Sequence, residues 1–361
     1  MNAIRRARES LLKFWSLGEP WETLRQRIAD DAVLMRIVAR TSAVTIAQEQ
    51  TSRILFAAMA YLSGRHHFEM PSDSEWRSFI RLRHSLLEHE DELTALLQRP
   101  AQINDLRRCV GLYPGLLFAA QRVSKPIALV EIGPSLGLNL CLDLYSYEYS
   151  GLGKGGDVES RCRLFAEVDD LASRGRSGSR RAFPPLNPPP VIRTRIGLEL
   201  QPVSLDEDSV AWIRALHYPR TDDMFDEALA IRRRTPIEIV KGDASRTLEQ
   251  GLSLIPMNQV PLVFSTGVAY QMPGPARKRL ASHLAQGARH RRLLYMTWAE
   301  ESARRGALLQ LTDLNLAKGK SERHLLGFAS RWDPIPKLEW VHPEASSVLT
   351  DGKRRRRQRL A

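Results

Sequence analysis

Cysteine is scarce in this chain. Three of its 361 residues are cysteines, Cys109, Cys141 and Cys162. They form neither a Cys-x-x-Cys pair nor an even set, which argues against a disulfide framework and a thiolate metal site. Buried thiols in a reducing compartment are expected instead. His-x-x-x-His and His-Glu-x-x-His runs are also missing. The adjacent pair His66-His67 is read as a helix end or loop, and no metal is expected. Long apolar runs are lacking too: a stretch such as residues 54–62 falls well short of the about 20 needed to cross a bilayer. Arg5, Arg6 and Arg8 precede a segment, 11–17, that Lys13 interrupts and no small-residue cleavage site follows, which makes a poor secretion signal. A soluble, cytoplasmic protein without membrane contact is expected. Aromatic residues amount to 7%, and none is interleaved with basic residues in a nucleic-acid-binding motif.

What is abundant is arginine and a normal apolar content. Hydrophobic residues make up 43%, enough for a sizeable core, and the net charge is +12. Half of that charge lies in the tail Lys-Arg-Arg-Arg-Arg-Gln-Arg at 353–359, which supplies six positive charges. Such a run attracts phosphates without sequence preference. A solvated tail has the same composition, and nucleic acid is not the favoured partner. The length corresponds to one large or two ordinary domains, at roughly 100–200 residues each.

The first hundred residues carry helical spacing and no strand pattern. Ser72-Asp-Ser-Glu75 has the form of a capping box, followed by Trp76, Phe79, Ile80, Leu86 and Leu87. Ile54, Leu55, Met59 and Leu62 mark the preceding helix, with Gly64 as its expected stop. A further helix is expected over residues 104–123. From Ile127 short apolar runs replace this pattern, at 127–132, 192–200, 237–240, 260–264 and 293–297, with helical patterns at 208–216, 224–233, 246–254 and 276–288. Alternation of this kind predicts an α/β fold with a mostly parallel, doubly wound, Rossmann-like sheet. Residues 308–316 and 325–332 are expected to close it as an antiparallel hairpin. The organisation expected is a helical bundle or cap over 1–100, a core over 101–345 and a basic tail over 346–361. Residues 145–190, with a Ser/Arg/Gly stretch at 173–181 and five prolines at 184–190, read as a partly mobile insertion with a short strand at 161–168.

The strongest local signal is Glu131-Ile-Gly-Pro-Ser-Leu-Gly-Leu-Asn139, which follows a strand and opens a helix. Three chemistries compete for it. A dinucleotide fingerprint needs a third glycine for close helix packing, and Leu138 stands there. A nucleophile elbow, Gly-x-Ser-x-Gly, fits Gly133–Gly137 literally, but its serine would top the first strand of the sheet, with Asp/Glu and His still to follow. The third is the S-adenosylmethionine (SAM) loop of class I methyltransferases, Glu-x-Gly-x-Gly-x-Gly, which Glu131, Gly133 and Gly137 match, with Ser135 replacing the middle glycine.

Two further segments resemble the methyltransferase pattern in the right order. Gly197-Leu-Glu-Leu-Gln-Pro202 is similar to the segment whose acid accepts both ribose hydroxyls, and Glu199 takes that place. Lys241-Gly-Asp-Ala244 is similar to the segment that meets adenine, through Asp243 and Ala244. The runs Gln102-Ile-Asn-Asp105, Gly111-Leu-Tyr-Pro-Gly115, Glu131–Leu140, Gly197–Pro202 and Val263-Phe-Ser-Thr-Gly-Val-Ala-Tyr-Gln-Met-Pro273 together resemble the bacterial family called domain of unknown function 2332. That resemblance implies a methyltransferase-like core with no established reaction. SAM is the cofactor implied, with SAM-dependent methyl transfer to an unidentified acceptor as the leading function. A SAM- or ligand-binding module without catalysis and a serine hydrolase using Ser135 are the alternatives. Tyr270 and Gln271, after the fourth strand, are the candidates for catalysis. Gln102 and Asn104 are candidates to cap the adenosine or touch substrate, or else plain helix-entry residues. The (Asn/Asp)-Pro-Pro-(Tyr/Phe) signature of amine methylation is missing after the fourth strand, which disfavours DNA amines as acceptors.

Overall fold

A computed structural model describes residues 3–13, 18–47, 50–170, 183–219, 223–268, 271–300, 307–329, 336–340 and 345–347. The chain divides into two compact units, residues 1–103 with 204–223, and residues 104–203 with 224–361. The basic stretch at 353–359, the Ser/Arg/Gly stretch at 173–181 and Tyr270 lie outside the described residues.

The first unit is helical: α1 (Ala3–Leu12), α2 (Trp21–Asp30), α3 (Ala32–Val38), α4 (Ala43–Ala47), α5 (Thr51–His66), α6 (Trp76–Glu88) and α7 (Glu90–Leu96). Its core includes Leu11, Ile28, Leu34, Phe56, Leu62 and Leu86, all buried. Two local expectations are corrected here. Glu75 caps α6 with no side-chain cap bond, and the Asp73 carboxylate accepts from the Glu75 amide at 2.8 Å. A short Asp side chain reaches the amide two residues on before the Ser72 box can form. Helix α5 runs through Gly64 to His66 and is capped by His67, whose φ of 56° supplies the left-handed residue that closes a helix.

The segment after the second core strand belongs to this same unit. Helix α9 (Glu207–Ala215) has Asp206 as its N-cap, accepting from the Ser209 amide at 2.8 Å. Asp208 accepts from Tyr61 and Arg99, and the Trp212 indole donates to the Pro100 carbonyl at 3.2 Å. A helix that periodicity alone assigns to a strand–helix alternation is thus held by the N-terminal helices.

Among the described residues the second unit is a mixed α/β structure around a twelve-stranded sheet. Its strands are β1 (Ile127–Ile132), β2 (Ser146–Tyr149), β3 (Gly153–Gly156), β4 (Arg163–Asp170), β5 (Ile192–Glu199), β6 (Glu238–Lys241), β7 (Val260–Thr266), β8 (Leu293–Glu300), β9 (Ala307–Asn315), β10 (Lys320–Ala329), β11 (Lys337–Trp340) and β12 (Ala345–Ser347). The order is β3-β2-β4-β11-β10-β9-β8-β7-β1-β5-β6, with β12 on β10. Pairings from β6 through β5, β1 and β7 to β8 are parallel, as are β2/β4 and β4/β11. β9 and β10 form the expected antiparallel hairpin. Every residue of β1 and β7 is buried, as a central strand covered on both faces requires.

Helices α8 (Cys109–Ala120), α10 (Phe225–Arg234), α11 (Ala244–Ser253) and α12 (Gly274–His290) complete the unit. The helix expected over 104–123 is α8, preceded by a short 3-10 turn, Leu106–Arg108. Gly111 and Gly115 face β8. A methyl at Gly111 would collide with the Trp298 ring, and one at Gly115 would lie 2.6 Å from the Met296 sulfur. The Gly-Leu-Tyr-Pro-Gly run is therefore a packing feature. All three cysteines are free and buried.

Two further expectations change in this unit. The helix expected after the β1 turn is of the 3-10 kind, seven residues over Leu138–Leu144. Asp143 in that stretch forms a buried two-pronged ion pair with Arg195 of β5, at 2.6 and 2.7 Å. The chain then leaves for the far edge of the sheet. The segment read as an insertion supplies the hairpin β2–β3 as well as the strand expected near 161–168, now β4. Tyr145, Tyr147 and Tyr149 are all buried, and their hydroxyls donate to the carbonyls of Leu138, Leu142 and Val110.

Candidate functional site

Three strand ends lie side by side in the order β1, β5, β6, and backbone hydrogen bonds tie their loops together. The Gly133 amide donates to the Leu198 carbonyl at 2.9 Å, and the Gly242 amide to the Glu199 carbonyl at 2.9 Å. Between Gly133 and Gly137 the chain turns through three residues of positive φ: Gly133 at 70°, Ser135 at 53° and Gly137 at 82°. Glycine adopts this region freely; serine does so at a cost that surrounding contacts must offset.

Glu199 supplies such contacts. Its Oε2 accepts from the Ser135 amide at 3.1 Å and its Oε1 from the Gln201 amide at 3.2 Å. The carboxylate is 7% exposed. Asp243 stands one strand further on. It caps α11 by accepting from the Ser245 amide at 2.8 Å, and Arg279 lies 3.5 Å from its Oδ2. Burial alone would raise the Asp243 carboxyl, but the Ser245 hydrogen bonds and the Arg279 and Arg246 charges outweigh it and hold it below its ordinary value. Ala244 follows as the first residue of α11 and is buried.

Glu131 is placed differently from a ligand-facing acid. It is fully buried, and its Oε1 accepts from Asn139 Nδ2 at 2.8 Å while Oε2 has no partner among the described residues. Burial pushes its carboxyl up to about 8, with the Asn139 bond and the Arg108 charge pulling only partly against it. Asn139 also accepts from the Cys109 thiol at 3.3 Å. The cluster sits where β1 and β7 end, and the Ser265 hydroxyl is buried there without a partner among the described residues.

Some of the glycines make room for this protein's own side chains. A methyl at Gly133 would lie 2.6 Å from Val268, one at Gly137 2.9 Å from Arg232 Nε, and one at Gly197 2.6 Å from Pro134. Arg232 uses that space to donate from Nε to the Leu136 carbonyl at 2.8 Å.

Other candidates fall in different places. Asn104, 1% exposed, accepts from the Leu138 amide at 3.2 Å, so it props the turn from behind. Gln102 belongs to the helical unit. Gln271 is exposed and donates from its side chain to the Gly267 carbonyl at 2.9 Å.

Sequence reasoning passed over Arg108. Its Nη1 donates to the carbonyl and hydroxyl of Thr266 at 3.0 and 3.2 Å, at the end of β7. Among the described residues no carboxylate pairs with it, and Nη2 lies beside Gly267 with unused donors. Nothing in the run Arg107-Arg108 marks one arginine over the other. Arg107 instead pairs with Asp105 two residues away, at 2.7 Å.

A family model described as "Uncharacterized protein conserved in bacteria (DUF2332)" matches residues 19–332, and the chain belongs to that family. Among curated proteins no match is found. No helix among the described residues is long and apolar enough to cross a membrane.

Proposed function

We propose that this member of the DUF2332 family binds SAM over the carboxyl ends of β1, β5 and β6 and transfers its methyl group to an acceptor. The observation that carries this reading is the Glu199 carboxylate gripping the Ser135 turn beside Asp243. Counted along the chain, the parallel strands β1, β5, β6, β7 and β8 are ordered 3-2-1-4-5, the doubly wound Rossmann order. In such sheets ligands bind in the crevice beyond the strand carboxyl ends, where the order reverses.

The polar groups fit an adenosyl amino acid. Glu199 brings a two-oxygen acceptor to the turn, the kind of group that suits a ribose diol. Asp243, about a third exposed, offers an acceptor to an exocyclic amine. Arg108 has donors left for a carboxylate. When bound, SAM supplies an electrophilic sulfonium methyl, and the chain's part is to align an acceptor with it and exclude water.

The hydrolase alternative has less support. A base must lie within hydrogen-bond reach of Ser135; of the candidate histidines His217, His283, His290, His324 and His342, His324 is on β10, four strands from β1, or roughly 19 Å at about 4.8 Å per strand. Calorimetry of the full chain with S-adenosylhomocysteine is the direct test. Saturable heat with one site is expected; no heat across a wide concentration range removes the proposal. Turnover of a labelled methyl group then separates an enzyme from a binding module.

A further inference from the structure

The helical unit holds a cluster unrelated to that crevice. His66 is the last residue of α5, His89 lies at the junction of α6 and α7, and Glu92 is in the first turn of α7. One ligating atom from each lies within 4.8 Å of the other two. His66 Nε2 is 3.0 Å from Glu92 Oε1, and the two imidazoles stack with centroids 3.6 Å apart at 12°. His89 has no hydrogen bond from its ring among the described residues; its ring contacts are His66 and Phe68. Arg65 Nε is 3.5 Å from the second Glu92 oxygen.

We propose that His66, His89 and Glu92 bind one zinc-class divalent ion. Two imidazoles and a carboxylate are borderline ligands suited to Zn²⁺ and its neighbours. Zinc takes His nitrogen and carboxylate oxygen at about 2.0–2.2 Å. Two such ligands on one tetrahedral ion stand roughly 3.0–3.5 Å apart, close to the 3.0 Å seen between His66 and Glu92. Ligation requires His89 to turn out of the stack, and among the described residues its ring has no hydrogen bond to break in doing so. Arg65 holds the free oxygen of Glu92, the outer contact that orients a ligating carboxylate. Neither histidine alone announces this: His66-His67 is a weak pair, and His67 points away from helical continuation at its left-handed φ. The ion would tie the end of α5 to the α6–α7 junction, so binding should stabilise the unit.

The test uses the full-length chain stripped with chelator, titrated with ZnCl₂ and separately with Co²⁺. One equivalent of Zn²⁺ is expected, with a rise in melting temperature and visible cobalt absorption of His/carboxylate ligation. His89→Ala and Glu92→Gln should each weaken uptake by about tenfold or more, judged from the loss of one of three ligands. His67→Ala should bind as the wild type does. Circular dichroism in chelator checks that each variant folds; if His89→Ala does not, Glu92→Gln on the more exposed side carries the comparison. Zinc uptake equal in wild type and Glu92→Gln, or loss of uptake with His67→Ala alone, overturns the proposal.

Discussion

The Glu199 carboxylate accepts a hydrogen bond from the backbone amide of Ser135, a residue 64 positions earlier, at 3.1 Å. It thereby secures a non-glycine residue at φ 53° in the turn after β1. Removing it should loosen the turn as well as any ligand contact. Glu199→Ala is expected to lose about 1–3 kcal/mol of stability, the cost of deleting a buried charged acceptor. Glu199→Gln keeps one acceptor oxygen and should lose less. Urea unfolding measures this; equal stability in all three proteins would refute the clamp.

Asp243 combines a helix cap with the proposed adenine contact. Asp243→Asn preserves the cap, since both residues are good at that position, whereas Asp243→Ala should cost about 1 kcal/mol. Both should weaken S-adenosylhomocysteine binding, Asp243→Asn the less, because its amide oxygen can still accept from the adenine amine while Asp243→Ala offers no acceptor. Unchanged affinity in the Ala variant would remove Asp243 from the site.

Arg108 is expected to read the carboxylate of the amino-acid part of the ligand. Arg108→Met should weaken S-adenosylhomocysteine, by about tenfold for a lost charged hydrogen bond worth roughly 1.5 kcal/mol. It should leave 5′-methylthioadenosine, which has no carboxylate, nearly unaffected. Equal losses for the two ligands would point to damaged folding instead.

The buried Glu131 should make stability depend on pH. An ordinary glutamate releases its proton near 4.5, and this one near about 8. Between those values the folded chain keeps a proton that the unfolded chain has lost, so stability falls as pH rises through the window. Glu131→Gln is neutral at every pH. Its stability relative to the wild type should therefore improve from pH 5 to pH 8, by on the order of 3 kcal/mol. His324, lowered by burial, acts in the opposite direction but is common to both proteins. Parallel pH curves would show Glu131 ionised inside the fold.

Arg195 and Asp143 are each 8% exposed. Deleting either partner strands the other in the interior and should cost about 3–5 kcal/mol. The double variant Arg195→Met/Asp143→Ala should lose clearly less than the sum of the single losses. Strict additivity would mean that the pair is not coupled.

Much of the second unit was legible in the sequence because central strands of a parallel sheet are apolar on both faces. The runs beginning at Ile127, Ile192, Val260 and Leu293 announce β1, β5, β7 and β8 within a few residues of their ends. The glycines of the turn after β1 were legible as well, since Gly133 and Gly137 adopt positive φ. Less visible was what their missing side chains leave room for. Val268 and Arg232 fill that space from 135 and 95 residues away, and no local pattern encodes such neighbours. The strands β2 and β3 escaped notice for a related reason. Their Tyr, Gly and Lys residues read as loop until Tyr113 and the far sheet edge are brought to them.

The sequence by itself determined the alternation of strands and helices, the helical character of the first hundred residues and the place of the turn after β1. Each of these follows from periodicity or from backbone freedom at particular residues. Only the tertiary structure decided that Glu131 is enclosed with a raised pKa while Glu199 grips the turn. It also decided that the helix at Glu207–Ala215 joins the N-terminal unit and that His66 meets His89 and Glu92. Burial and partnership are properties of distant segments packed together, and the physics that sets a carboxylate's proton or gathers ligands around a point acts across space, not along the chain.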